Sequence, residues 1–165
     1  MTTNGMSDEE RIDAAWNQLN LVLGFYSRID TKTSIVLGIN LGMLAVLLSR
    51  VPPVAQISAL QWAFALPFFV AVAFGFYHLH KGARPHLTGG TNSLVYFQTI
   101  AALTESRFTF ACRQRSSVEL SDDLYEQVWR NSKILSEKFA ALRRAHDTTL
   151  LAVIPWLGCI ALTAK

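Results

Sequence analysis

The central polar stretch of this chain carries side chains of the kinds that hold a phosphate and the edge of a base. Arg107, Arg113 and Arg115 stand on one predicted helix, and Gln127, Arg130, Asn131, Lys133 and Lys138 on the next. A guanidinium fork matches phosphate oxygens with two bonds, and an amide both donates and accepts, as a base edge requires. The same residues on a solvated helix face would do no chemistry, so they are nominations for binding. Catalysis has less to stand on. The sequence holds no GxSxG, Walker loop, HExxH or Cys-x-x-Cys. The adjacent carboxylates Asp122 and Asp123, and the cluster Asp8, Glu9, Glu10 and Asp13, read as acids at helix N-termini. His78 and His80 point to different faces of a helix, and His86 follows in an irregular linker, so no metal site is expected. The expectation is a binding protein, not an enzyme, with no catalytic residue and no cofactor.

Those candidates are positioned by an unusual partition of charge. Residues 34–49, 57–77 and 148–164 contain no charged side chain, whereas all 12 acidic residues lie in 1–33 or 78–147. About 18–25 apolar residues span a bilayer, because each helical residue rises about 1.5 Å against roughly 30 Å of hydrocarbon. The middle segment has that length, and the outer two reach it by borrowing interfacial residues such as Thr31 to Thr33 or Asp147. A buried helix of a water-soluble protein would carry charges on its outer face. The fold class expected is therefore an all-α integral membrane protein. It has three transmembrane helices, an N-terminal amphipathic helix and a cytoplasmic helical hairpin between spans two and three.

Charge also orients the chain. Ten of the 15 basic residues fall in 78–147, against Arg50 alone in the connection between spans one and two and Lys165 at the C-terminus. Basic residues resist translocation. Residues 1–33 are read as a cytoplasmic amphipathic helix, 34–77 as spans one and two with a short external loop, 78–147 as the cytoplasmic hairpin, and 148–165 as span three. The N-terminus then lies inside and the C-terminus outside, with span one a retained anchor rather than a cleaved signal. The net charge of +3 follows from topology and anionic headgroups, so no nucleic-acid partner is expected. Cys112 and Cys159 fall in different compartments and do not suggest a disulfide.

Within the first segment Ser7 is a predicted N-cap, followed by apolar Ile12, Ala15, Trp16, Leu19, Val22 and Leu23 at helical spacing. Asp30 and Lys32 stand at the mouth of span one as an interfacial pair. Inside it Ser34, Gly38 and Gly42 recur every four residues, a small-xxx-small stripe that lets another helix approach. That helix could belong to this chain or to a second copy. Asn40 must find a polar partner within the bilayer. The cytoplasmic hairpin is predicted as one helix from Asn92 to Arg115 and a second from Ser121. With no breaker before Pro155, the second is expected to continue into span three as one rod.

Several of these residues together resemble one family, the transmembrane effectors of Pycsar anti-phage systems. Asp30-Thr31-Lys32 and Asn40 match its first-span pattern, and Ser93-x-x-Tyr96-Phe97-x-x-Ile100 matches an element after span two. Gln127, Asn131 and Lys138 match its Gln-x-x-x-Asn and Lys before the last span. The resemblance implies a membrane effector of the cell inner membrane that binds cyclic UMP or cyclic CMP made by a partner uridylate or cytidylate cyclase. Activation then impairs the membrane and kills the infected cell, through a homo-oligomer. It makes Tyr96 and Phe97 candidates for stacking on a pyrimidine or closing an oligomer seam, beside Arg107, Gln127, Asn131 and Lys138. The rival reading is a scaffold or accessory subunit of a larger membrane complex with no nucleotide response.

Overall fold

The structure, a computed structural model, describes residues 6–53, 56–84, 90 and 92–163. Among them every regular element is a helix: α1 (Asp8–Leu48), α2 (Ala59–Ala83), α3 (Phe97–Ala101), α4 (Glu105–Gln114) and α5 (Ser117–Thr163). Three of these, α1, α2 and α5, are long and apolar enough to cross a membrane. The all-α membrane fold read from the sequence is the one observed. His86 lies outside the described residues.

Local chemistry sets the helix starts. Ser7 begins α1 as a capping box: its hydroxyl accepts from Glu10 N at 3.3 Å, and Glu10 Oε2 accepts from Ser7 N at 2.8 Å. Ser58 and Gln61 form the same reciprocal pair at α2. So do Ser116 and Glu119 at α5, which therefore starts at Ser117 and not at Ser121. Ser121 is instead buried, its hydroxyl donating to Val118 O at 2.8 Å. The single helix expected from Asn92 to Arg115 is also divided. A turn at 92–96 precedes α3, and Thr104 caps α4 by accepting from Arg107 N. A Thr or Ser hydroxyl that bonds nearby backbone N–H groups competes with the helical ladder, which is why the chain breaks there.

Long helices need a continuous buried seam, and both α1 and α5 have one. On α1 the buried positions are Ala15, Leu19, Val22, Ile29, Val36, Asn40, Met43 and Leu47, with half-buried Tyr26 and Thr33 between them. On α5 the series is Ser121, Leu124, Val128, Leu135, Leu142, Ala145, Thr149, Ala152 and Cys159, with Asn131, Lys138 and Trp156 half-buried in it and Asp123, Gln127 and Ala141 buried beside it. Both series step alternately by three and four, the seven-residue repeat of helices packed side by side. Gly24 and Pro155 interrupt neither helix.

The chain divides into two compact units, Met1–Ser27 with Pro85–Ser136 and Arg28–Arg84 with Glu137–Lys165. The second holds the apolar stretches. Its contacts Asp30–Lys138, Asn40–Thr149 and Met43–Trp156 rise together in number, so these parts of α1 and α5 run parallel, as first and third crossings must. From α2, Phe68 and Val72 fill the core among Met43, Leu47, Ala152 and Cys159. Asn40 is fully buried; its Nδ2 donates to Thr149 Oγ1 at 2.7 Å and to Val36 O at 2.8 Å. Such an amide bond between spans replaces the hydrophobic drive that lipid removes. The Ser34, Gly38, Gly42 stripe faces the other way. Ser34 is exposed, and among the described residues a Cβ built on Gly38 or Gly42 would meet nothing within 4 Å.

Candidate functional site

The first unit is where the charged candidates gather, and a short turn organises it. Asn92 takes a positive φ of 63°, which asparagine tolerates better than most residues. The chain then folds over the hydroxyl of buried Ser93. Its Oγ accepts from Tyr96 N at 2.9 Å, from Val95 N at 3.2 Å and from Gln127 Nε2 at 3.2 Å. A carboxylate of α5 fixes the other side of the turn. Asp123 Oδ2 accepts from Leu94 N at 2.8 Å and from Arg115 Nη1 at 3.0 Å. Arg115 Nη1 also reaches Asn92 O at 3.4 Å. Asp123 is nearly fully buried, and the guanidinium and the backbone N–H offset the cost of burying its carboxylate oxygen.

Gln127 and Asn131 continue this network. Asn131 Nδ2 donates to Gln127 O at 2.8 Å, and Tyr26 of α1 donates its hydroxyl to Asn131 O at 3.0 Å. A connected path thus runs Tyr26, Asn131, Gln127, Ser93, Tyr96. The sequence nominated Gln127 and Asn131 as ligand groups. The geometry spends their amides inside the protein, tying the turn to α5 and α5 to α1. Lys138 belongs to the second unit, where its Nζ lies 3.6 Å from Asp30 Oδ1. Lys32 is exposed there.

Beside the turn lies an open cavity of about 560 Å³. Leu94, Leu103 and Ala111 make its apolar floor, and Asn92, Thr99, Gln114, Arg115 and Glu119 its polar rim. Apolar walls with a few convergent polar groups are the usual form of a small-molecule site. A second cleft of about 450 Å³ shares Leu103 and Ala111 with it and adds Ser106, Arg107 and Phe110. Arg107 is exposed, as is Phe110 at 66%. Across the two clefts α4 and its C-cap Arg115 therefore offer a guanidinium with a hydroxyl, an aromatic face, and an amide–guanidinium rim. Glu119 is held below the ordinary carboxylate range, first by the backbone and then the side-chain hydrogen bond from Ser116. Its negative charge is spent on that cap.

Tyr96 and Phe97 line neither cleft. Their rings meet edge to face at 5.0 Å, Tyr96 donates its hydroxyl to Gln98 Oε1 at 3.0 Å, and Phe97 is exposed. Sequence reasoning missed Asn92, Ser93, Thr99 and Gln114 as cavity residues. Ser93 did stand in the Ser-x-x-Tyr-Phe element and Asn92 at a predicted helix start, whereas Thr99 and Gln114 gave no signal. Among the described residues no group of His, Cys, Asp and Glu side chains is arranged to hold a metal.

Comparison with known proteins adds one finding. The family model described as the Pycsar effector protein domain matches residues 14–165. No curated protein and no solved structure matches the chain.

Proposed function

The chain belongs to the Pycsar effector family, which gives it a role in anti-phage defence, and we propose that it is switched on by a cyclic pyrimidine nucleotide. In this reading cyclic UMP or cyclic CMP, made by a partner cyclase, binds the paired clefts along α4. The phosphate lies at Arg107 and Ser106, the pyrimidine edge meets Gln114, Asn92 and Arg115, and Phe110 stacks on the ring. The observation that supports it is the 560 Å³ cavity with an amide–guanidinium rim beside an exposed arginine on the charged unit. The nucleotide is bound and not turned over.

The mechanism follows from helix continuity. Both α1 and α5 run unbroken from the charged unit into the uncharged segments. A ligand that prefers one arrangement of the turn, α4 and α5 shifts the population toward it, by no more than its differential affinity. The outward stripe of Ser34, Gly38 and Gly42 then offers the surface on which copies repack, and the inner membrane loses integrity. The charged unit faces the cytoplasm and the C-terminus lies outside.

Two measurements test this. Purified protein should show a rise in thermal midpoint with cyclic UMP or cyclic CMP and none with cyclic AMP or cyclic GMP, because binding to the native state stabilises it. Arg107→Ala and Gln114→Ala, both exposed, should abolish the rise without changing the midpoint of the free protein. Liposomes carrying the protein should leak dye only when the nucleotide is added. A flat response to all four nucleotides would leave the accessory-subunit reading in its place.

A further inference from the structure

A cavity in the second unit has the chemistry of a lipid headgroup site. It encloses about 270 Å³ and is lined by Asp30 and Ser34 of α1, His78 and Gly82 of α2, and Lys138 of α5, over walls that include Leu37 and Leu142. Two of the helices, α1 at Asp30 and Ser34 and α2 at His78 and Gly82, meet it where an uncharged run gives way to charged sequence, the depth at which headgroups lie. We propose that this cavity binds a phospholipid whose headgroup carries a phosphate and a primary ammonium.

Three observations carry this. The side chain of Lys138 is only 14% exposed while that of Asp30 is 65% exposed, and 3.6 Å separates Nζ from Oδ1. That distance is too long for a direct hydrogen bond. The pair therefore presents a recessed cation beside an outward carboxylate. An aminoethyl phosphate complements that order, its phosphate directed to Lys138 and its ammonium to Asp30. Charge-assisted bonds of this kind are about twice as strong as neutral ones. His78 supplies the second observation. Its Nδ1 is buried with no hydrogen-bond partner among the described residues, an arrangement that costs free energy unless a ligand or water supplies the bond. An imidazole nitrogen can donate or accept as its tautomer adjusts, so a phosphate oxygen satisfies it. The third is the wall. Leu37 is exposed on the outer face of α1 immediately beyond the polar groups. An acyl chain leaving the cavity runs down that face, which water cannot solvate.

The closeness of the helices fits a built site. A Cβ on Gly82 would come within 3.1 Å of the Ala141 Cβ, so α2 and α5 touch beside the cavity. The proposal stands apart from the nucleotide reading, since none of its residues lines the clefts along α4.

Native mass spectrometry of the detergent-purified full chain, titrated with phosphatidylethanolamine, phosphatidylcholine and phosphatidylglycerol, is the test. The expected result is higher occupancy by phosphatidylethanolamine than by phosphatidylcholine, by about fivefold, since methylation removes the N–H donors facing Asp30. Asp30→Asn should erase that preference, and Lys138→Gln should lower occupancy by all three lipids. The wild-type headgroup series needs no variant to fold. Equal occupancy by the three lipids would overturn the proposal, as would tight binding of soluble phosphoethanolamine with no gain from acyl chains. Displacement of bound lipid by stoichiometric cyclic UMP or cyclic CMP would also overturn it, by making the cavity a nucleotide site.

Discussion

Asn40, Asn131 and Lys138 each occupy a position of the inward seam on their helices, as the sequence led one to expect for Asn40 alone. Polar residues in such a seam specify register between neighbouring helices at some cost in stability. For Asn40 the partner is Thr149, which gives a direct prediction. Thr149→Val keeps the shape and removes the acceptor, and it should destabilise the protein by ~0.6–2 kcal/mol in detergent, the range of interhelical bonds between spans. Asn40→Leu with Thr149→Val should cost less than the sum of the two single changes, because they share one bond. A second prediction concerns the turn. Arg115→Ala leaves Asp123 buried beside Leu94 N alone, a loss on the order of 1–3 kcal/mol. Limited proteolysis should show it as faster cleavage at 92–96. Gln127 and Asn131 were recognisable in the sequence as amides with a purpose; that they serve the fold became visible only when their partners, distant in sequence, were in place.

At the scale of elements, glycines and caps separate what packs from what is free. A Cβ on Gly158 would stand 2.4 Å from Phe64 Cδ1, whereas Gly42 has open space. Gly158→Ala should therefore destabilise the second unit by about 1–3 kcal/mol through overpacking. Gly42→Ala should leave thermal stability within about 0.5 kcal/mol, as a substitution facing outward does. The start of α5 adds a pH dependence. Glu119 has a lowered pKa because Ser116 hydrogen bonds favour its charged form. The cap is thus complete above the carboxylate's ordinary value and is lost as pH falls through its lowered one. Amide exchange at 117–120, corrected for intrinsic rates, should quicken over that acid range in the wild type and show no such step in Glu119→Gln. The capping boxes at Ser7 and Ser116 are both written as Ser-x-x-Glu. Only the first was read as a helix start, since Ser121-Asp122-Asp123 offered a competing signal downstream of the second.

For the whole molecule the question is which way the charged unit faces. Two free cysteines report on it without any engineered label: Cys112 is exposed on α4, and Cys159 is buried among the spans. A membrane-impermeant maleimide should leave Cys112 unmodified in intact cells and modify it in inside-out vesicles, with Cys159 unmodified in both. Labelling of Cys112 in intact cells would reverse the orientation that the basic residues of 78–147 imply. It would also remove the clefts proposed to bind a nucleotide from the compartment in which the proposed cyclase would make it.

Composition and the spacing of charge determined the membrane class, the three crossings and the continuous run from the charged stretch into the last span. Those are properties of single segments, governed by what each can leave in lipid without an unmet polar group. Tertiary structure decided the rest. Whether Asp123 caps a helix or holds Arg115 and a turn depends on which chains come near it, as does whether Gly42 or Gly158 lies in a packed interface. A cavity exists only where several elements meet, so Gln114 and Asn92 became rim residues of one through packing that no local pattern encodes.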